Sequence, residues 1–266
     1  FALNDVLIYN PDSARYLIWA RSLAESEGFQ DQSIPEPLHY VVHAPLYSLL
    51  LAPAAFIAPN SVIAGKILTV LLGCGLLVLF LFWVRRLDSP PAPVLATAIL
   101  AVHPLTLIFS HQILSEIPFG IAIIATLVLV DRIVKGESSA TRDELLLAAV
   151  LSAAALLREV GVTLVLATAI FFAAHRRFRK ALVMLAVPLF VYGLWFVRNE
   201  IIVAGTEHPA LRNSEILTLH YFTPRDATLI EEFLARLRIN GAVYADHLAR
   251  LCYLPQYGPS VYGIVS

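Results

Sequence analysis

Charge is scarce in this chain. Only 15% of its 266 residues are charged, where a soluble domain carries roughly a quarter. No run of Lys and Arg forms a stripe suited to nucleic acid, and the formal net charge of -1 adds no such field. Cysteine is limited to Cys74 and Cys252, far apart in the chain. Cys74 lies inside an apolar run and reads as a small core residue. There is no internal repeat of fixed period, no low-complexity tract and no visible signal peptide. Apolar residues are abundant instead, at 58% with a mean hydropathy of +0.73. That composition defines an integral membrane protein. The chain opens on Phe1 and closes on the apolar stretch GPSVYGIVS. It is expected to be part of a longer protein, with a membrane helix upstream.

A membrane helix needs roughly 20 apolar residues. Candidate spans are 62–84, 92–110, 113–134, 144–157, 161–175 and 181–197. The fourth and fifth are short for full crossings. Basic residues cluster at alternate loops: Arg85 and Arg86, then Arg132, Lys135 and Arg142, then Arg176, Arg177, Arg179 and Lys180. By the excess of Lys and Arg in inner loops these mark the cytoplasmic side. Residues 1–61, 111–116, 157–161 and 198–266 then share the other face. The expected organisation is an extracytoplasmic loop over 1–61, a transmembrane bundle over 62–197 and an extracytoplasmic segment over 198–266.

Two stretches outside the spans have helical periodicity. Residues 11–27 place Tyr16, Leu17, Ala20 and Leu23 on one side and Arg15, Arg21, Glu25 and Glu27 elsewhere. Pro11 suits the first turn and Gly28 the stop. Residues 226–251 are again amphipathic, with a break expected near Asn240-Gly241. Such helices lie in the membrane interface or pack on a soluble domain.

Four ionisable side chains collect on the non-cytoplasmic face. Asp12 heads the first amphipathic helix, His43 leads toward the first span, and Glu116 and Arg158 sit at outer helix ends. A carboxylate at the apolar edge of a bilayer is costly unless paired or used. Each has an alternative role. Asp12 fits a first-turn helix acid, Glu116 a solvated position, and Arg158 a snorkelling anchor or a partner of Glu159. His43 fits a hydrogen-bonded structural histidine. Arg158 also offers a fork of donors suited to phosphate. His103 and His111 are the other candidates for a metal with His43 and Glu116, but the spacing matches no zinc pattern. The spacing therefore gives a metal site no support.

Five segments carry a resemblance. They are 11-PDSARYLIWARSLAESEGF-29, 43-HAPLYSLLLAP-53, 115-SEIPF-119, 157-LREVGV-162 and 195-WFVRNEIIVAG-205. In this order they resemble the GT-C superfamily of glycosyltransferases. The likeness is greatest to the bacterial branch related to protein O-mannosyltransferases and to the aminoarabinose transferase of lipid A. Val42 stands where some relatives carry an acid, and Ala44 where the family has a first proline. The resemblance implies an all-α, polytopic transmembrane bundle with juxtamembrane amphipathic helices on the non-cytoplasmic face. It implies an inverting transfer of a sugar from a polyprenyl-phosphate carrier to a protein, lipid or glycan acceptor, with no metal and no cofactor, as in the family's mannosyl-transferring branches. The setting is the bacterial inner or plasma membrane, and the site faces the exterior. Asp12 matches the family's catalytic base, and Glu116 is the second catalytic candidate. Arg15, Tyr16, His43, Tyr47, Lys66, Arg158 and Arg198 are the substrate-binding candidates, with Arg158 foremost for the departing phosphate. The alternatives are a transporter or flippase of lipid-linked sugars and a non-catalytic membrane subunit.

Overall fold

The computed structural model describes residues 11–33, 35, 38–39, 41, 43–59, 61–136, 140–204, 223 and 227–251. Val42, Gly205, Cys252 and both chain ends, on which expectations were placed above, lie outside the described residues. The described chain is almost entirely helical. It divides into two compact units, Phe1–Ala210 and Leu211–Ser266.

In the first unit, α1 runs Pro11–Ala24, with Asp12 in its first turn and Arg21 in its last. Both charges complement the helix dipole. The expected face is buried, with Tyr16 and Ala20 joined by Trp19. The helix stops earlier than Gly28. Ser26 takes a left-handed φ of 64°, its N–H donates to the Leu23 carbonyl, and Glu27 N–H donates to the Ser22 carbonyl. This paired pattern closes a helix end, and here a serine takes the position glycine usually holds. A two-residue antiparallel pairing, β1 Gln30–Asp31 with β2 Leu38–His39, follows.

The remaining helices of this unit are α2 Leu46–Ile57, α3 Val62–Val84, α4 Ala92–Val102, α5 Pro104–His111, α6 Glu116–Lys135, α7 Ala140–Leu157, α8 Gly161–Ala174 and α9 Phe178–Ala204. Among the described residues three helices are long and apolar enough to cross a membrane: Val62–Val84, Glu116–Lys135 and Phe178–Ile202. The expected straight span 92–110 is instead the pair α4 and α5, bent by 59°. Pro104 explains the bend. It lacks an N–H and bars His103 from the helical conformation; His103 adopts ψ 131° and its ring caps α5 through Leu105 N–H. Counted as one, the pair makes a fourth span. Of the six candidate spans, two of them short, three or four are long and apolar enough to cross among the described residues. α8 has only 14 residues, and α7 carries Arg142, Asp143 and Glu144 at its start. α9 continues past Val197 to Ala204.

The outward surface is apolar: Leu71, Val78 and Phe82 of α3, Ile170 of α8, and Phe190, Leu194 and Ile201 of α9 are all exposed. Exposed apolar area of this extent needs lipid or a partner against it. Cys74 also faces outward, so it is not the core residue expected. In an apolar solvent the outside of a helix accepts the same small apolar groups as the core.

Two internal clusters hold the unit together. One gathers Tyr16, Ala20, Tyr47, Leu51, Ile113, Ala122, Ala154 and Leu157, joining α1, α2, α6 and α7. The other gathers Ile133, Leu147, Leu151, Val165, Phe172 and Met184. Beside the second lies a belt of ion pairs. Arg86 and Lys135 each meet Asp131 at 3.0 Å, Arg132 meets Asp143 at 3.0 Å, Arg179 meets Glu144 at 3.1 Å, and Lys180 also meets Glu144. The three basic clusters of the sequence therefore converge at one end of the bundle. Glu116 begins α6 and Lys135 ends it, which at 1.5 Å per residue separates them by roughly 30 Å, about the thickness of a bilayer core.

The second unit contains α10, Leu229–Leu251. Thr228 and Glu231 form a reciprocal capping box, with Thr228 N–H donating to Glu231 Oε2 at 2.7 Å and Glu231 N–H to Thr228 Oγ1 at 3.3 Å. The helix is continuous through Asn240-Gly241, so the expected break is corrected. One glycine costs a helix about 1 kcal/mol but does not end it.

Candidate functional site

Four separate chain segments line one cavity of about 270 Å³. Asp12 and Tyr16 come from α1, His43 and Ala44 from the segment before α2, Leu114, Ser115 and Glu116 from the start of α6, and Leu157 to Val160 from the turn between α7 and α8. The turn is tight because Gly161 lets α8 begin against the last turn of α7. An added Cβ there would lie 2.6 Å from Ala155 N and inside the Ala154 carbonyl. This contact sets Arg158 opposite the first turn of α6.

Arg158 Nη1 meets Glu116 Oε1 at 2.6 Å. Its partner is Glu116, not the neighbouring Glu159. Arg158 also donates toward Ser115 Oγ at 3.4 Å, and Ser115 Oγ lies 3.2 Å from Tyr16 Oη. One buried serine thus ties α1, α6 and the turn together. Glu116 Oε2 is buried and has no hydrogen-bond partner among the described residues. A buried acceptor in that state is unusual, and it suits a donor on a bound molecule. Glu159 lines the same cavity; desolvation pushes its carboxyl above the usual range, and no ion pair reaches it among the described residues.

Asp12 Oδ1 lies 3.4 Å from His43 Nε2 and 3.8 Å from Arg15 Nη1, while Arg15 Nη1 lies 3.4 Å from His43 Nε2. Burial of the imidazole, with Arg15 and Arg158 nearby, pulls the His43 pKa below its ordinary value, and Asp12 opposes that shift in part. Burial pushes the Tyr16 phenol up, so it stays protonated.

Of the nine residues singled out from the sequence, Asp12, Tyr16, His43, Glu116 and Arg158 line the cavity and Arg15 touches two of them. The other three do not line it. Tyr47 is fully buried and bonds Thr69 at 2.8 Å. Lys66 is buried near the start of α3. Arg198 lies over the Trp195 ring at 4.5 Å and the Phe29 ring at 5.5 Å, and it donates to Asn199 Oδ1 at 2.8 Å. These rings continue through Trp19 to His43, and Asn199 bonds the Val41 carbonyl. α9 is thereby fastened to the segment that carries His43. Ser115, Trp19 and Asn199 were given no role from the sequence, although each stands within one of the five segments that carry the resemblance.

Among the described residues no group of three His, Cys, Asp or Glu side chains is placed to hold a metal ion. Comparison with protein-family models, with curated proteins and with solved structures finds no match to this chain.

Proposed function

We propose that this chain is a membrane glycosyltransferase of the GT-C type, moving a sugar from a polyprenyl-phosphate carrier to an acceptor nucleophile. The observation that carries the reading is that Asp12, Glu116 and Arg158, far apart in sequence, line a single cavity at the ends of apolar helices. A sugar joined to a lipid through phosphate needs that depth. Its tail stays among apolar helices while its reacting carbon lies in a polar cavity.

In this reading the Asp12 carboxylate takes the proton of an acceptor hydroxyl or amine as that atom attacks the anomeric carbon. The bond from that carbon to the phosphate oxygen breaks, and the electron pair leaves with the lipid phosphate. A well-placed base contributes about a hundredfold to ten-thousandfold. Negative charge grows on the departing oxygen, and Arg158 is the cation of the cavity that meets it. Arg158 must then share its guanidinium between Glu116 and phosphate, which a planar fork of donors permits. Glu116 Oε2 accepts from a sugar or acceptor hydroxyl. A half-buried imidazole with a lowered pKa is a poor standing cation, so His43 is not assigned to the phosphate.

A transporter of lipid-linked sugars would carry its polar groups on broken helices near mid-membrane. The bent pair α4 and α5 contributes no residue to the cavity wall, which favours the enzyme. The site is assigned to the exterior face of a bacterial plasma membrane. The test is transfer from a radiolabelled polyprenyl-phosphate sugar by Asp12→Asn. Donor binding kept with transfer lost supports the reading; undiminished transfer removes Asp12 as the base.

A further inference from the structure

The contact between Asp12 Oδ1 and His43 Nε2, at 3.4 Å, raises a question of protons. With its proton on Nε2 a neutral imidazole donates to Asp12; with its proton on Nδ1 the bare Nε2 and an ionised carboxylate are both acceptors and repel. Arginine only donates, so Arg15 beside Nε2 selects the second tautomer, and there the contact with Asp12 becomes a hydrogen bond only when a further proton lies between them. Arg15 Nη1, 3.4 Å from the same Nε2, can donate to that nitrogen while the proton is absent. The three groups thus have a resting arrangement without the proton and a second arrangement with it.

We propose that Asp12 and His43 form a carboxylate–imidazole dyad that holds the proton removed from the acceptor nucleophile and passes it to water. This rests on the glycosyltransferase reading and extends it by one step. The proton leaves the acceptor oxygen or nitrogen for Asp12 Oδ as the new bond to the anomeric carbon forms. It then moves from the carboxylic acid to His43 Nε2. Asp12 returns to a carboxylate, and the imidazolium, partly exposed at the cavity wall, releases a proton to solvent. No electrons change hands beyond those of the bonds named. Free aspartic acid titrates near ~3.9 and free histidine near ~6.5, so transfer from carboxylic acid to imidazole runs downhill in water. In the protein, burial and the cations Arg15 of α1 and Arg158 of the α7–α8 turn hold the imidazole neutral between turnovers, and Asp12 favours its charged form. Tyr16 lies against the ring at 5.9 Å between centroids, and Trp19 at 6.2 Å. Glu116 is engaged with Arg158. His43 therefore acts through Asp12, as a relay and positioning residue.

The chain has eight histidines, so the His43 signal is assigned by its loss in His43→Gln. The full chain is placed in lipid nanodiscs with ¹³C-labelled histidine, and the His43 resonance is titrated with and without Asp12→Asn. The dyad requires the midpoint to fall in Asp12→Asn, because the charge that favours imidazolium is gone. An unmoved midpoint overturns the proposal whether or not the protein transfers sugar. In the transfer assay, His43→Gln is expected to slow turnover at least tenfold, to shift the acid limb of the rate–pH profile to lower pH, and to leave donor binding within about twofold. Full turnover with an unchanged acid limb also overturns it. If the wild-type chain transfers no sugar, the glycosyltransferase reading falls, and the titration alone decides the dyad. If His43→Gln does not fold, His43→Asn takes its place for assignment and assay.

Discussion

Arg158 Nη1 and Glu116 Oε1 meet at 2.6 Å across the start of α6 and the turn that ends α7. Both side chains are about one-third exposed, at 34% and 29%, so the pair is screened only in part. It closes one wall of the cavity and fixes two of its charges in place.

Removing one partner leaves the other half-buried and uncompensated. Glu116→Gln and Arg158→Gln are each expected to cost about 1–3 kcal/mol, between the values for exposed and buried pairs. The double variant leaves no stray charge and should be less destabilised than the sum of the two. Thermal unfolding of the four proteins in detergent gives the coupling. Simple additivity would mean that the pair contributes nothing to stability.

Gly161 makes a different demand. A methyl group there would collide with backbone atoms of Ala154 and Ala155, which cannot swing aside as a side chain can. Gly161→Ala is expected to destabilise by at least about 2 kcal/mol, to widen the turn and to displace Arg158. Gly193 of α9 has nothing within 4 Å of its added Cβ. Gly193→Ala should therefore be neutral or stabilise by up to about 1 kcal/mol. Equal stability of the two variants would show that α7 and α8 do not approach this closely.

Periodicity and hydropathy made most of the helices legible, because apolar spacing and length are local properties of the chain. The basic clusters made the belt end of the bundle legible for the same reason: Arg86, Lys135 and Arg179 each lie beside a helix end. The bend at His103 was announced by Pro104 and still escaped notice, since the run from Ala92 to His111 is mostly apolar and carries no charged side chain of Asp, Glu, Lys or Arg. The end of α1 was misplaced because a left-handed serine at Ser26 has no marker comparable to Gly28. Asp12, Glu116 and Arg158 were picked out by the cost of charge in an apolar setting. Their convergence was not legible, since it depends on how four segments pack. Ser115 and Asn199 act through contacts to distant residues, and an uncharged polar residue in sequence gives no sign of that.

Acidification should weaken the folded protein through His43. Its pKa is lowered in the folded chain, mainly by burial. The unfolded chain therefore binds the proton more readily, and stability contributed by the neutral ring is present above the ordinary value near ~6.5. That contribution is lost as pH falls from there through the lower folded value. Unfolding of the wild type at pH 7.5 and 5.5 should differ more than unfolding of His43→Gln over the same interval. An equal difference in the two proteins would place the acid sensitivity in other groups.

Helix α3 is long and apolar enough to cross a membrane. An 18-residue stretch of its 23 residues has a mean hydropathy of 2.7, and Ile67, Leu71, Val78 and Phe82 make its outward face apolar. Ser33 precedes it on the site-bearing side and Ser89 follows it beside the belt, and both are exposed. In a background with Cys74 and Cys252 replaced by Ser, Ser33→Cys and Ser89→Cys should react with a membrane-impermeant maleimide from opposite sides of sealed vesicles. Restoring Cys74 alone should give a thiol that only a lipid-soluble reagent reaches, because it lies midway along the helix on its outer face. Labelling of Ser33→Cys and Ser89→Cys from the same side would require α3 to turn back within the bilayer. It would also move the cavity and the ion-pair belt to one surface, and the depth argument for a lipid-linked substrate would fail with it.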